Sequence, residues 1–241
     1  MILAGVDLAW QSNKNPTALA WGVLHDGQLH VEQVRESIVG LPAIHKALTS
    51  IEGLVGIAID ASLIIPNQRG FRNCEREIAS VYGSRGAGCH PTNLSLYPDA
   101  DSVRLSRMLV ESGFDHLQGK FWQIECYPHP ALIEVFGLEQ RLKYKRGSVA
   151  EKRAGQQRLA ELLRQLTKSS VLALKLTTSV AHIIDQERIA GLRGEVIKQN
   201  ENALDALVCL YIAGLYAIGR RGRLFGDKEA GYIWIPSGHC I

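Results

Sequence analysis

The first strand predicted by the hydrophobic pattern carries one carboxylate. Apolar residues recur at every second position near the start of the chain, namely Ile2, Ala4, Val6 and Leu8. That repeat predicts a strand with Asp7 on the opposite face. Because an isolated buried carboxylate is costly, Asp7 needs a partner. Two interpretations follow: a structural aspartate satisfied nearby or in a turn, and a metal ligand in an active site.

The following segments predict an antiparallel meander and then a crossover. Residues 17–24 and 29–34 have strand patterns, and Asp26-Gly27 between them supplies the positive φ of a tight hairpin. Residues 42–51 change to helical spacing, and 54–60 is a nearly continuous apolar run that ends on a second aspartate. A helix between two strands permits a parallel crossover, so the fourth strand can lie beside the first.

The rest of the chain predicts mainly helices around a fifth strand. Predicted helices cover 73–82, 99–112, 131–136, 148–167 and 202–219. The fifth strand, 121–126, carries Glu125 near its end, and a last short strand, 231–236, ends at a proline typical of sheet edges. We interpret 141–198 as a helical insertion in a single domain, 1–241.

This order of elements predicts an α/β fold, a ribonuclease-H-like mixed five-stranded sheet with strand order 3-2-1-4-5, flanked by helices on both faces. The first and fourth strands are then neighbours, so Asp7 and Asp60 face each other across ~4.8 Å. Glu125 lies one strand further out. An acidic row in the last helix, Glu201 and Asp205, runs into an apolar stripe, so Asp205 points at the sheet. The alternative explanation is that acids in a first turn favour the helix dipole.

Carboxylates brought this close predict a metal centre, because they repel one another unless a cation joins them. Oxygen ligands without a His or Cys cluster favour Mg²⁺ or Mn²⁺ over zinc. The predicted metal ligands are Asp7, Asp60 and Asp205. Glu125 is a fourth candidate catalytic residue, as a further ligand or an orienting base. Two such ions ~3.5–4 Å apart would hold a phosphodiester and activate a water for in-line attack. The prediction depends on the fold, since spacing along the chain does not supply it.

Several short motifs together resemble one family. They are Gly5-Val-Asp-Leu-Ala-Trp10, Ala58-Ile-Asp-Ala61, Pro66-Asn67, Gly70-Phe-Arg-Asn-Cys-Glu75, Glu125-Cys-Tyr-Pro-His-Pro130, Lys143-Tyr-Lys-Arg-Gly147, Leu204-Asp-Ala-Leu-Val-Cys209 and Gly231-Tyr-Ile-Trp-Ile-Pro236. As a set in this order, they resemble the "domain of unknown function 429" family, regarded as a predicted nuclease of the ribonuclease-H-like superfamily. The resemblance implies that fold and a suspected nuclease activity, and it implies little about the substrate.

Basic residues in two of these motifs are candidate substrate-binding groups. Arg72 could bind phosphate or brace the site with Glu75, and an exposed ion pair on a helix is the alternative. Lys143, Lys145 and Arg146 could contact a phosphate backbone, and a solvated basic turn is the alternative.

Other candidate features have simpler explanations. His129 is interpreted first as a helix cap and second as a proton shuttle. Trp10, Trp21 and Trp122 are interpreted first as core residues and second as base-stacking platforms. The glycine-rich run 83–88 lacks the Lys-Ser/Thr ending of a phosphate-binding loop.

Composition limits the class of protein. The 241 residues are 46% hydrophobic and 21% charged, as in an ordinary globular protein. The net charge of +3 permits a polyanionic substrate without favouring one. Five dispersed cysteines without a C-x-x-C pair indicate free thiols in a reducing compartment. With no signal-peptide pattern and no apolar run of the ~18 residues that a membrane span needs, we expect a cytoplasmic protein.

Three hypotheses follow, led by a metal-dependent nuclease acting on DNA or RNA. ATP-dependent phosphotransfer of the actin and sugar-kinase type is a second, although the loop after Asp7 lacks the phosphate-holding glycine turn of those proteins. A third is a non-catalytic nucleic-acid-binding module whose acids are satisfied by Arg and Lys. The form of the nucleic acid, the number of metals and the oligomeric state are left open.

Overall fold

A seven-stranded mixed sheet forms the centre of the molecule in the computed structural model, which describes residues 1–10 and 12–241. Its strands are β1 (Ile2–Asp7), β2 (Thr17–His25), β3 (Gln28–Ile38), β4 (Leu54–Asp60), β5 (Asp115–His116), β6 (Trp122–Glu125) and β7 (Ala173–Leu176). A separate hairpin pairs β8 (Gly222–Asp227) with β9 (Gly231–Pro236).

Helices cover both faces of the sheet. They are α1 (Leu41–Thr49), α2 (Asn73–Tyr82), α3 (Asp101–Glu111), α4 (Pro128–Phe136), α5 (Val149–Gln165), α6 (Gln186–Gly191) and α7 (Glu195–Ala217), with 3-10 turns at Leu166–Lys168 and Ala181–Ile184. Within the described residues, no helix combines the length and apolar character needed to cross a membrane.

The order of the sheet is β5-β6-β4-β1-β2-β3-β7. The predicted order 3-2-1-4-5 is confirmed as its middle, with β6 as the predicted fifth strand, so the fold is ribonuclease-H-like. Strands β5 and β7 extend the sheet at its two edges. The segment 141–198, predicted as a helical insertion, contains α5 and α6 and also β7, which pairs in parallel with β3. Strand β7 was not predicted, because its four residues are too few to distinguish a two-residue repeat from a helical pattern.

Most element boundaries follow the sequence pattern, and the differences have physical causes. The capping box predicted at Ser148 starts α5, since the Ser148 hydroxyl accepts from the Glu151 N–H and the Glu151 carboxylate accepts in return. Helix α7 starts at Glu195, earlier than the predicted residue 202. The prediction missed its first turns because they are mostly polar and precede the apolar stripe. Strand β9, predicted at an edge, is buried along its whole length against β8 and the neighbouring elements.

Helix α7 packs directly across β1, and Gly5 permits this approach. A Cβ on Gly5 would lie 2.0 Å from the backbone nitrogen of Leu210 and 2.4 Å from the backbone oxygen of Ala206. Any side chain there would separate the helix from the strand. Because Asp205 precedes Ala206 and Asp7 lies two positions after Gly5, this contact sets the distance between the two carboxylates.

We expect Gly5→Ala to destabilise the protein by about 1–3 kcal/mol or more, since the added methyl group meets backbone atoms that cannot move independently. Urea unfolding gives the change in the free energy of unfolding. The matched control is Gly191→Ala at the exposed end of α6, where an added Cβ meets nothing within 4 Å. Equal stability of the two variants would contradict the proposed close contact.

Candidate active site at the ends of the central strands

Two aspartates end adjacent parallel strands. Asp7 is the last residue of β1, Asp60 is the last residue of β4, and the two are paired in register. Register partners in a parallel pair point to the same face, here the face covered by α7, and neighbouring strands lie ~4.8 Å apart. Both side chains are half-buried. The structure thus brings together two of the residues predicted as metal ligands.

Neither aspartate has a partner of its own in the part of the chain that the structure describes. Among residues 1–10 and 12–241, no group donates a hydrogen bond to the carboxylate of Asp7 or Asp60, and neither forms an ion pair within 4.0 Å. Removal from water, followed by the charge of Asp205, raises the pKa of Asp7 well above its ordinary value. Removal from water also raises the pKa of Asp60 to about 7, with Lys145 opposing the shift and Asp205 adding to it. The strand ends therefore hold two carboxyl groups that have no direct partner in the described part of the chain and tend to keep their protons.

Asp205 completes the cluster from α7 and is 1% exposed. The Tyr144 hydroxyl donates to its Oδ1 at 2.6 Å. Lys145 Nζ lies 2.7 Å from its Oδ2, an ion pair whose angles fall outside hydrogen-bond geometry. Burial alone would lower the pKa of Lys145, but the charge of Asp205, with Tyr144, Asp60 and Asp7, holds it well above its ordinary value. Lys145 therefore pairs with Asp205, and its charge also acts on Asp60 and Asp7 from beyond ion-pair distance.

The segment that carries Tyr144 and Lys145 is held against α5 by a second close contact at a glycine. A Cβ on Gly155 would lie 2.0 Å from the backbone oxygen of Lys143 and 2.6 Å from the Cα of Tyr144. Tyr144 is fully buried. Tyr144 was not among the predicted site residues, although its position inside the basic motif Lys143-Tyr-Lys-Arg146 is a signal that could have identified it.

Glu125, predicted as a fourth catalytic carboxylate, does not join the aspartates. It is aligned with Ile59, one residue before Asp60, so its side chain starts from the opposite face of the sheet. Both of its oxygens accept from Arg72, at 2.6 and 2.9 Å, and one also accepts from the Leu63 N–H at 2.9 Å. Its negative charge is thus already compensated.

Arg72, predicted to bind substrate, is 2% exposed and has no donor left for a phosphate. Besides its two bonds to Glu125, it donates to the Glu75 carboxylate at 2.8 Å, the Ser62 hydroxyl at 2.7 Å and the Ile64 carbonyl at 3.0 Å. A guanidinium has five N–H donors, and all five are used. Arg72 therefore braces the loop after β4. Of its two predicted roles, bracing and phosphate binding, the structure shows bracing.

A cavity of about 330 Å³ opens beside Asp60. Its lining includes the other predicted substrate-binding residues, Lys143, Lys145 and Arg146. Lys143 and Arg146 are exposed, and neither forms an ion pair with any other described residue. His129 also lines the cavity, but burial lowers its pKa to about 3, so this imidazole is neutral and a weak base.

The donor chemistry of the cluster fits a hard divalent cation, although its present arrangement is closed around Lys145. In the described part of the chain, no group of three or more His, Cys, Asp or Glu side chains is spaced to hold a metal ion as it stands. The residues that could hold one are Asp7 and Asp60, whose carboxylates have no partner among the described residues, and Asp205, once Lys145 moves away. Carboxylate oxygens are the ligands that Mg²⁺ and Mn²⁺ prefer.

Fold and site together define a ribonuclease-H-like α/β protein with a carboxylate cluster at the ends of its central strands. Residues 5–230 match the family described as "Protein of unknown function (DUF429)", and the chain belongs to this family. No curated protein and no solved structure matches the chain.

The raised pKa of Asp60 predicts that the stability of the metal-free protein falls with rising pH. Its value of 3.8 in the unfolded chain rises to about 7 on folding, so the folded state holds this proton more tightly. The resulting stabilisation is complete below pH ~4 and is lost as the pH rises to about 7.

We expect the free energy of unfolding in EDTA to decrease, relative to that of Asp60→Asn, by on the order of 1–4 kcal/mol between about pH 4 and pH 8. Urea unfolding of both proteins across this range measures it. If the two proteins lost stability in parallel as the pH rises, the pKa of Asp60 would not be raised in the folded state.

Proposed function

We propose that the protein is a metal-dependent nuclease that hydrolyses phosphodiester bonds of DNA or RNA. The observation that carries the proposal is the register pairing of Asp7 with Asp60, both without a partner among the described residues and next to the buried Asp205. Groups with strongly shifted pKa values beside a cavity are typical of functional sites, because a structural role would be served better by satisfied charges. The unsatisfied charge is what a bound cation would stabilise.

In this proposal Asp7, Asp60 and Asp205 hold Mg²⁺ or Mn²⁺. The metal would supply a polarised phosphate and an activated water. The chain's own contribution is to fix the carboxylates: β1 and β4 hold two of them in register, and Gly5 brings the helix that carries the third close to the strand. Binding of the cation then requires Lys145 to leave Asp205 and the three carboxylates to move closer together.

Lys145 has two roles in this proposal. Before the metal binds, it compensates the charge of Asp205 at 2.7 Å and keeps the cluster stable. Its side chain is 28% exposed and lines the cavity, so it can turn from the carboxylate towards a substrate phosphate. Lys143 and Arg146, exposed on the same segment, add positive charge along the path of a phosphate backbone.

We expect Asp7→Ala to lower the rate of cleavage roughly 100-fold or more, since it removes a metal ligand. Wild type and variant are incubated with single- and double-stranded DNA, single-stranded RNA and a branched junction, with Mg²⁺ or Mn²⁺, and the products are resolved by electrophoresis. The control is Asp99→Ala, an exposed aspartate outside the cluster. The proposal is wrong if wild type cleaves none of these, or if Asp7→Ala cleaves as fast as wild type.

We expect Lys145→Met to bind Mn²⁺ more tightly than wild type, by on the order of tenfold, because it removes the cation that competes for Asp205. Titration calorimetry at about pH 8, where protons compete least, gives the affinity. Lys143→Met, two positions away and exposed, controls for a general loss of positive charge. Unchanged or weaker binding in Lys145→Met would mean that the lysine and the metal do not compete.

A non-catalytic nucleic-acid-binding module is the second candidate, and the ion pairs of the site favour it. Asp205 contacts Lys145, and Glu125 is saturated by Arg72, so part of the acidic charge is already compensated within the chain. Binding of nucleic acid that weakens with salt and does not change when divalent ions are removed would favour this candidate over the nuclease.

A further inference from the structure

An exposed tryptophan lies at the cavity beside the aspartates. Trp10 follows β1 and is 39% exposed, whereas Trp122 is buried in the core. Trp10 was expected first as a core residue, and the structure instead places it in the lining of the 330 Å³ cavity together with Asp60. A large apolar ring held in this position is available to a bound molecule.

The indole is braced by a second aromatic ring. The ring centroids of Trp10 and Tyr97 lie 4.6 Å apart, with their planes inclined by 34°. This contact limits the rotation of Trp10 and reduces the conformational entropy that a ligand would have to remove. Tyr97 therefore supports the Trp10 ring from one side.

Cationic groups line the same cavity. Arg141, Lys143 and Arg146 belong to its wall, and none of them forms an ion pair within the part of the chain that the structure describes. An aromatic platform beside unpaired cations is the combination that binds single-stranded nucleic acid, because the cations follow the phosphates while the rings stack on the bases. Bases inside a duplex are already stacked on their neighbours and cannot use such a platform.

We propose that Trp10, supported by Tyr97, stacks on an unpaired nucleobase of a single-stranded substrate whose phosphates lie along Lys143 and Arg146. This inference rests on the proposed nuclease function and specifies its substrate: single-stranded or locally unpaired nucleic acid. Trp10 positions the strand and takes no part in the chemistry at the aspartates.

The experiment compares two labelled strands of equal length, a fifteen-nucleotide oligothymidylate and an abasic strand with the same phosphates. A length of ~15 nucleotides is enough to span one or more binding sites. The parent protein is Asp7→Asn with Mg²⁺, which prevents cleavage during the measurement. Fluorescence anisotropy then gives the affinity with and without Trp10→Ala or Trp10→Phe. Trp21→Ala, outside the cavity lining, is the matched control.

We expect Trp10→Ala to weaken binding of the thymidine strand about tenfold, as for the loss of one base–aromatic stack, and to leave the abasic strand unaffected. Trp10→Phe should restore most of the affinity, because it retains a ring. An equal effect on both strands, or no effect on either, would overturn the inference. If the parent binds neither strand, the inference also fails.

Cleavage by wild type separates this outcome from that of the proposed function. Cleavage without a Trp10 effect on binding would leave the nuclease standing and remove the platform. Base-dependent binding through Trp10 without cleavage would keep the platform and remove the nuclease.

Discussion

The gathering of three aspartates in one buried place, where they repel one another, is the main physical constraint on this structure. Asp7, Asp60 and Asp205 converge at the ends of β1 and β4, where removal from water, with the charge of Asp205 added, raises the pKa of Asp7 and Asp60. The register of β1 with β4 and the close contact of α7 with Gly5 hold the three carboxylates there. The fold brings them together at a cost in stability, which Lys145 offsets in part through Asp205.

A neighbouring group of charges shows how this chain treats acids with a structural role. Glu125 and Glu75 are both buried, and Arg72 contacts both of them while using its remaining donors on Ser62 and Ile64. Every strong donor in that network has an acceptor, as buried ions require. The contrast with Asp7 and Asp60 is physical: one set of acids is satisfied within the chain, and the other has no hydrogen-bond or ion-pair partner among residues 1–10 and 12–241.

The sequence by itself determined the elements and much of their order. Strands 17–24 and 54–60 and the helix at 73–82 were predictable because their apolar repeats are long and bounded by turn residues. The order of the five middle strands followed from the crossover rule, which also put Asp7 beside Asp60. Asp205 could be assigned to the sheet side of α7, because its row continues as an apolar stripe.

Only the tertiary structure decided which charges are satisfied. A shift of one residue in the pairing of β6 turns Glu125 to the opposite face, and no local pattern specifies that register. The five bonds of Arg72, the approach of Lys145 to Asp205 and the exposure of Trp10 likewise depend on contacts between distant segments. Sequence periodicity determines the face of an element on which a side chain lies, whereas the partner it meets there depends on how the elements pack.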